Sequence, residues 1–95
     1  MEIIIMTFDQ ILNEITKVCR KHEVAHLYLY GSYAKGTQTP TSDIDIIVKG
    51  CNNIGNLKEE LDLIPTLKKI DIFEYEKCKN EFLKEDMNKY GKQIY

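Results

Sequence analysis

The stretch Asp43-Ile44-Asp45-Ile46-Ile47-Val48-Lys49 constrains this chain more than any other. Acid and aliphatic residues alternate in it, with Asp43, Asp45 and Ile47 on one side and Ile44, Ile46 and Val48 on the other, the period of a strand. On a strand the two aspartates leave the same face about 7 Å apart. Two carboxylates held that close repel one another unless a proton or a cation comes between them. Magnesium suits such a pair, because it is a hard ion bound through one or two carboxylates together with substrate phosphates.

A third acid joins the argument from Lys69 to Tyr75 (Lys-Ile-Asp-Ile-Phe-Glu-Tyr). This run reads as another strand, with Ile70 and Ile72 opposite Asp71 and Phe73. Beside the first strand, Asp71 can share a face with Asp43 and Asp45. Three converging carboxylates make a two-metal site plausible, one ion for an attacking hydroxyl and the other for leaving phosphates. Glu74 alternates away from Asp71, and Glu76 lies past the strand's end, so neither belongs to the set.

Upstream, Val24 to Tyr30 is an apolar, aromatic run that stops at Gly31-Ser32. It predicts a strand buried on both faces, followed by a turn whose glycine lets backbone N–H groups approach a phosphate and whose serine adds a hydroxyl donor. Residues 32–42, with Gly36, Pro40 and several Ser and Thr, predict a loop with at most one helical turn. If a short helix starts at Ser32, its dipole favours an anion there. Lys35 is a candidate counter-charge for a triphosphate.

The remaining elements frame these residues. Thr7 and Gln10 fit a capping box, with Met6 and Ile11 as a hydrophobic staple, for an amphipathic helix over 8–21. Gly50 to Gly55 reads as a turn. Asn56 reads as the cap of a helix that buries Leu57, Leu61 and Ile64 ahead of Pro65. A last helix over 80–90 carries Phe82, Leu83, Met87 and Tyr90 as its stripe, with Gly91 as its C-terminal stop. The order predicts a single small α/β domain over 1–95, helices packed on a small mixed sheet.

Composition narrows the function. Thirteen basic against 15 acidic residues leave a net charge of −2, without the basic excess of a nonspecific nucleic-acid binder. Cys19, Cys51 and Cys78 form neither a CxxC zinc pattern nor an even disulfide set, so reduced thiols in a cytoplasm are expected. The apolar run Met1 to Met6 is too short for a signal peptide, and no stretch reaches a membrane-spanning length. In 95 residues there is room for one site, so a bulky substrate would be gripped with a partner or a second copy of the chain. His22 and His26 have no ligand partner at metal spacing and are assigned to capping or packing. Tyr28 and Tyr30 belong to the sheet, and packing outweighs base stacking for Tyr33.

Taken singly, an Asp-x-Asp or a Gly-Ser turn is common. Together, Gly31-Ser32, ten residues, and Asp43-Ile44-Asp45 resemble the signature of the DNA polymerase β-like nucleotidyltransferases. Leu29 to Gly36 and Thr41 to Val48 are similar to the minimal nucleotidyltransferases, or MNT domains, within that superfamily. The resemblance implies magnesium on Asp43 and Asp45, with Asp71 as the third carboxylate, binding the catalytic ion and helping to deprotonate the nucleophile. Gly31 and Ser32 would take the β and γ phosphates of ATP. Many members carry Arg where this chain has Lys35, which keeps the charge and loses the planar fork.

It further implies transfer of AMP to a hydroxyl of a partner protein, as in MNT antitoxins that modify a HEPN ribonuclease toxin encoded beside them. With no helical HEPN region within these residues, the partner would act in trans. A masking antitoxin without catalysis is the alternative, disfavoured because every motif residue is in place. An aminoglycoside nucleotidyltransferase would need a further domain for the sugar.

Overall fold

The computed structural model describes residues 5–95. The first four residues of the Met1 to Met6 run therefore lie outside the described residues. Helix α1 (Phe8–Lys21) opens with the expected capping box: the Gln10 N–H donates to Thr7 Oγ1 at 3.2 Å, and the Thr7 N–H donates to Gln10 Oε1 at 2.9 Å. Ile11, Ile15, Val18 and Cys19 form its buried stripe, and Met6 packs against the same core. His22 is the C-cap, and its ring lies 3.0 Å from Glu60. Glu23, at φ +58, turns the chain toward strand β1 (His26–Tyr30).

β1 passes directly into a single-turn helix, α2 (Gly31–Lys35), which ends at Gly36 in the left-handed region. Strand β2 (Ile44–Lys49) follows, then helix α3 (Ile54–Leu61), strand β3 (Ile70–Glu74), a 3-10 turn (Tyr75–Lys77), helix α4 (Glu81–Tyr90) and strand β4 (Lys92–Gln93). The sheet order is β3-β2-β1-β4. β1 is antiparallel to both neighbours, while β2 and β3 are parallel and joined through α3, so the sheet is mixed as expected.

Strand alternation sorts the sheet into two faces. Leu27, Leu29, Ile44, Ile46 and Val48 meet α1 and α3 in one core, which also takes Leu57, Leu61 and Ile64. Tyr30 and Ile47 meet Met87 of α4 on the other face, with Tyr28, Phe73 and Leu83 packed around them. Asp45 and Asp71 belong to this second face, because their register partners are Tyr30 and each other. At 0–1% exposure Ile44, Ile46, Ile47 and Val48 make β2 the most deeply buried strand, so its acid end is anchored on both sides.

Two local expectations need correction. The cap of α3 is Asn53, whose Oδ1 accepts from the Asn56 N–H at 3.1 Å, so Asn56 is the third helical residue and Gly55 lies inside the first turn. Phe82 is 85% exposed and Tyr90 half-exposed, because α4 is turned so that Leu83 and Met87 meet the sheet and Asp86 meets Tyr30. Gly91 stops α4 as expected, in an extended conformation at φ −64, and leads straight into β4. A Cβ there would stand 2.5 Å from the Met87 carbonyl oxygen, so closeness to α4 requires the glycine. β4 itself was not anticipated: two residues are too few to show a period, and pairing with β1 at Tyr28 and Leu29 defines it.

Candidate active site

The site lies at one end of the sheet, where β1 ends and β2 and β3 begin. Tyr30, Asp45 and Asp71 are consecutive cross-strand neighbours in register. Immediately after Tyr30 the chain bends at Gly31 with φ +65. A Cβ at Gly31 would collide with the Asp45 carboxylate, so this position needs glycine both for its backbone angle and for room. Gly31 and Asp45, 14 residues apart in sequence, are thus packed against each other. Tyr30 provides no side-chain cap to α2, which leaves the first N–H groups of that turn without an acceptor from the capping residue. Ser32 is half-buried in this turn, and its carbonyl accepts the Thr37 N–H at 3.0 Å.

The acids differ in their surroundings. Asp45 is half-buried, and its pKa is raised. Burial is the largest cause, followed by the charge of Asp71, the hydrogen bond the two carboxyls share, and the charge of Asp43; the Lys69 ammonium pulls the other way. Asp71 also accepts an ion pair from Lys69, 3.3 Å from Nζ to Oδ1. Asp43 stands just ahead of β2, exposed to solvent. Beyond it opens a cleft of about 730 Å³ lined by Met6, Ile11, Ser42, Asp43, Leu67 and Lys69. Lys68 bridges the two loops at its mouth, donating to the Pro40 carbonyl at 2.9 Å.

The structure therefore gathers Gly31, Asp45 and Asp71 closely, keeps Ser32 in the adjoining turn, and leaves Asp43 at the rim. Lys35 is not drawn to the acids. It is exposed at the far end of α2, its ammonium 4.6 Å from the centre of the Tyr90 ring. Tyr33 stacks on Phe8 at 4.3 Å between centroids, which accounts for it by packing. Among the described residues no three acidic, His or Cys side chains are yet drawn into one ligand shell. The donor set nevertheless fits a hard divalent ion: all-oxygen, anionic, partly buried and mutually repelling. Such an ion would offset the burial and the acid–acid repulsion that together raise the Asp45 pKa.

Three residues beside the acids were missed from sequence. Tyr30 donates a short hydrogen bond to Asp86 of α4, and burial, with that bond and the Asp86 charge, pushes its phenol up to about 12. Its position next to Gly31, on the face of Asp45, was a usable signal; Asp86 gave none, since it sits among other helix-face acids. Lys69 shares strand parity with Asp71, which would have placed the two together.

Comparison with known proteins agrees with this geometry. Residues 13–95 match the family model described as "Polymerase beta, Nucleotidyltransferase". A Methanocaldococcus jannaschii protein provisionally named protein adenylyltransferase MJ1379 is 44% identical over 68 residues, 62% of this chain and 68% of the relative. A second from that organism, MJ0435, carries the same provisional name and is 39% identical over 59 residues, 62% of this chain and 59% of its own length. Among solved structures, one of a toxin–antitoxin with AMP-PNP superimposes with a TM-score of 0.67 at 30% identity, covering 87% of this chain and 71% of that one. A mutant of the MntA-HpeT toxin–antitoxin gives 0.68 at 26% identity, covering 87% and 70%. On the match over residues 13–95, and with the sheet and acid end described above, this chain belongs to the polymerase β-like nucleotidyltransferase family.

Proposed function

We propose that this chain transfers AMP from ATP to a hydroxyl of a partner protein, and that it acts in the cytoplasm as the antitoxin of a HEPN-type ribonuclease toxin. The observation that carries the reading is the packing of Gly31 against Asp45 with Asp71 in register beside it. A phosphate-approaching turn and two acids within one patch are what nucleotidyl transfer requires. The names of the relatives support a protein acceptor, and the toxin–antitoxin structures support a toxin as that acceptor. We take residues 1–95 as one minimal nucleotidyltransferase domain.

In this reading Gly31 and Ser32 receive the β and γ phosphates through backbone N–H groups and the Ser32 hydroxyl. Asp43, Asp45 and Asp71 would hold magnesium, two ions in all, which would supply charge neutralisation at the phosphates. Asp71, at the side of the pair away from Gly31, would take the proton of an acceptor hydroxyl. The hydroxyl oxygen forms the bond to the α phosphorus as the α–β bridging bond breaks and pyrophosphate leaves. Positioning and charge neutralisation dominate such chemistry. Lys35 would reach the phosphates only by leaving Tyr90. No helix among the described residues is long and apolar enough to cross a membrane.

The test is incubation with α-labelled ATP, magnesium and a lysate of the source cells, beside an Asp43→Asn, Asp45→Asn double variant. A protein labelled by the wild type alone supports the proposal and gives the acceptor's size. Capture of a partner without label from either protein would replace it with an antitoxin that acts by masking.

A further inference from the structure

The strand order places Gly31 and Asp71 on opposite sides of Asp45. On the side of the acids away from the phosphate turn, the cation paired with Asp71 among the described residues is Lys69. Lys69, one residue ahead of β3, has the same parity as Asp71 and pairs with its carboxylate at 3.3 Å. The pair is uneven: the Lys69 side chain is 71% exposed and that of Asp71 is 32%. Lysine here is a point charge on a flexible stem, held by one contact, and solvent stands ready to take it back. A divalent ion brought to the Asp71 carboxylate would stand close to this ammonium, and two cations that near repel each other.

We propose that Lys69 is a positioning residue of the acid site: a tethered counter-ion that keeps Asp71 turned to the Asp45 pair and yields the carboxylate to an incoming divalent ion. The inference rests on the reading that these acids take such an ion. Two consequences follow. Before loading, Lys69 neutralises part of the charge crowded at Asp45 and Asp71, so the end of β3 keeps its parallel register against β2. During loading, it sets a threshold, because the ion must approach Asp71 against the charge of the ammonium and draw the carboxylate from its one contact. An exposed single-contact pair is worth little, so that threshold is low. An arginine, with a planar fork able to grip both carboxylate oxygens, would raise it.

The experiment is a manganese titration of the purified full chain, with free ion followed by electron paramagnetic resonance. Wild type is compared with Lys69→Met and Lys69→Arg, and each is repeated in an Asp71→Asn background. Circular dichroism checks the fold, which a side chain this exposed should leave intact. Lys69→Met should bind manganese about two- to tenfold more tightly than wild type, the range expected when a weak exposed pair and a nearby like charge are removed. Lys69→Arg should bind more weakly than wild type. In the Asp71→Asn background the two changes should have little effect. A purely structural role for Lys69 would loosen binding in Lys69→Met, and that result overturns the proposal. Unchanged affinity in both variants overturns it too, as does an equal effect with and without Asp71. If wild type binds no manganese at all, both this inference and the metal-dependent reading of the site fall.

Discussion

Replacing Gly31 with alanine probes the packing on which the site depends, and the molecule contains its own control. Gly31 and Gly36 have nearly the same positive φ, +65 and +73. An L-residue in the left-handed region costs about 1–2 kcal/mol, so either replacement should lose that much. The two differ in what a methyl group meets. At Gly36 nothing lies within 4 Å, whereas at Gly31 it runs into the Asp45 carboxylate. Forcing that carboxylate and the turn apart adds a cost of about 1–3 kcal/mol, typical of overpacking. Gly36→Ala should therefore lose about 1–2 kcal/mol in urea unfolding and Gly31→Ala about 2–5 kcal/mol. In thermal melts each kcal/mol corresponds to a shift of roughly 4–8 °C for a domain of this size. Because Asp45 must move, Gly31→Ala should also weaken manganese binding, while Gly36→Ala should not. Equal stability losses with equal ion affinities would refute the claim that Gly31 is there to make room for the acid.

Further outcomes follow from the same contacts. The folded-state pKa of Asp45 is raised, so its ionised form costs stability at pH values above the unfolded value, and the cost vanishes once the pH falls below that value. Without divalent ions, Asp45→Asn should be more stable than wild type at pH 7 and should lose the advantage near pH 3; added magnesium should stabilise wild type selectively. Equal pH–stability curves from chemical denaturation would contradict this. Tyr30→Phe removes a hydrogen bond to a carboxylate and should cost about 1–3 kcal/mol. It should also remove from the ultraviolet titration the phenol that ionises at about 12. Met87→Ala, at a position 3% exposed, should lose about 2–5 kcal/mol, while Phe82→Ala, at one 85% exposed, should stay within about 0.5 kcal/mol of wild type. The reverse order in denaturation would mean that α4 presents its other face to the sheet.

What could be read from sequence had a strong local cause. The period-two alternation of Asp43 to Lys49 sets which side chains share a face, and a one-residue slip would bury both acids, so β2 and its faces were legible. The α1 capping box likewise predicts its own hydrogen bonds. Asp71 was legible as an acid in an apolar strand, and the parallel β2–β3 register is what sets it opposite Asp45. Other features depend on tertiary packing. Helical spacing gives Phe82 and Met87 similar claims to burial, and only the meeting of Asp86 with Tyr30 and of Met87 with Ile47 decides the rotation of α4. Gly91 follows the rule for a helix stop in composition while serving a close approach to Met87. Lys35 has the charge for a phosphate, but a neighbouring aromatic ring, supplied by the distant Tyr90, holds it elsewhere.

The central claim is that Gly31-Ser32 and the three aspartates form one metal–nucleotide site. The most direct measurement is a crystal structure of the full chain grown with manganese and a non-hydrolysable ATP analogue, with the ions located from anomalous scattering. The account predicts manganese within about 2.5 Å of carboxylate oxygens of Asp43, Asp45 and Asp71, the β and γ phosphates at the Gly31-Ser32 turn, and the Lys69 ammonium released from Asp71. Manganese and phosphates bound away from these residues, with the Lys69–Asp71 pair intact, would contradict it.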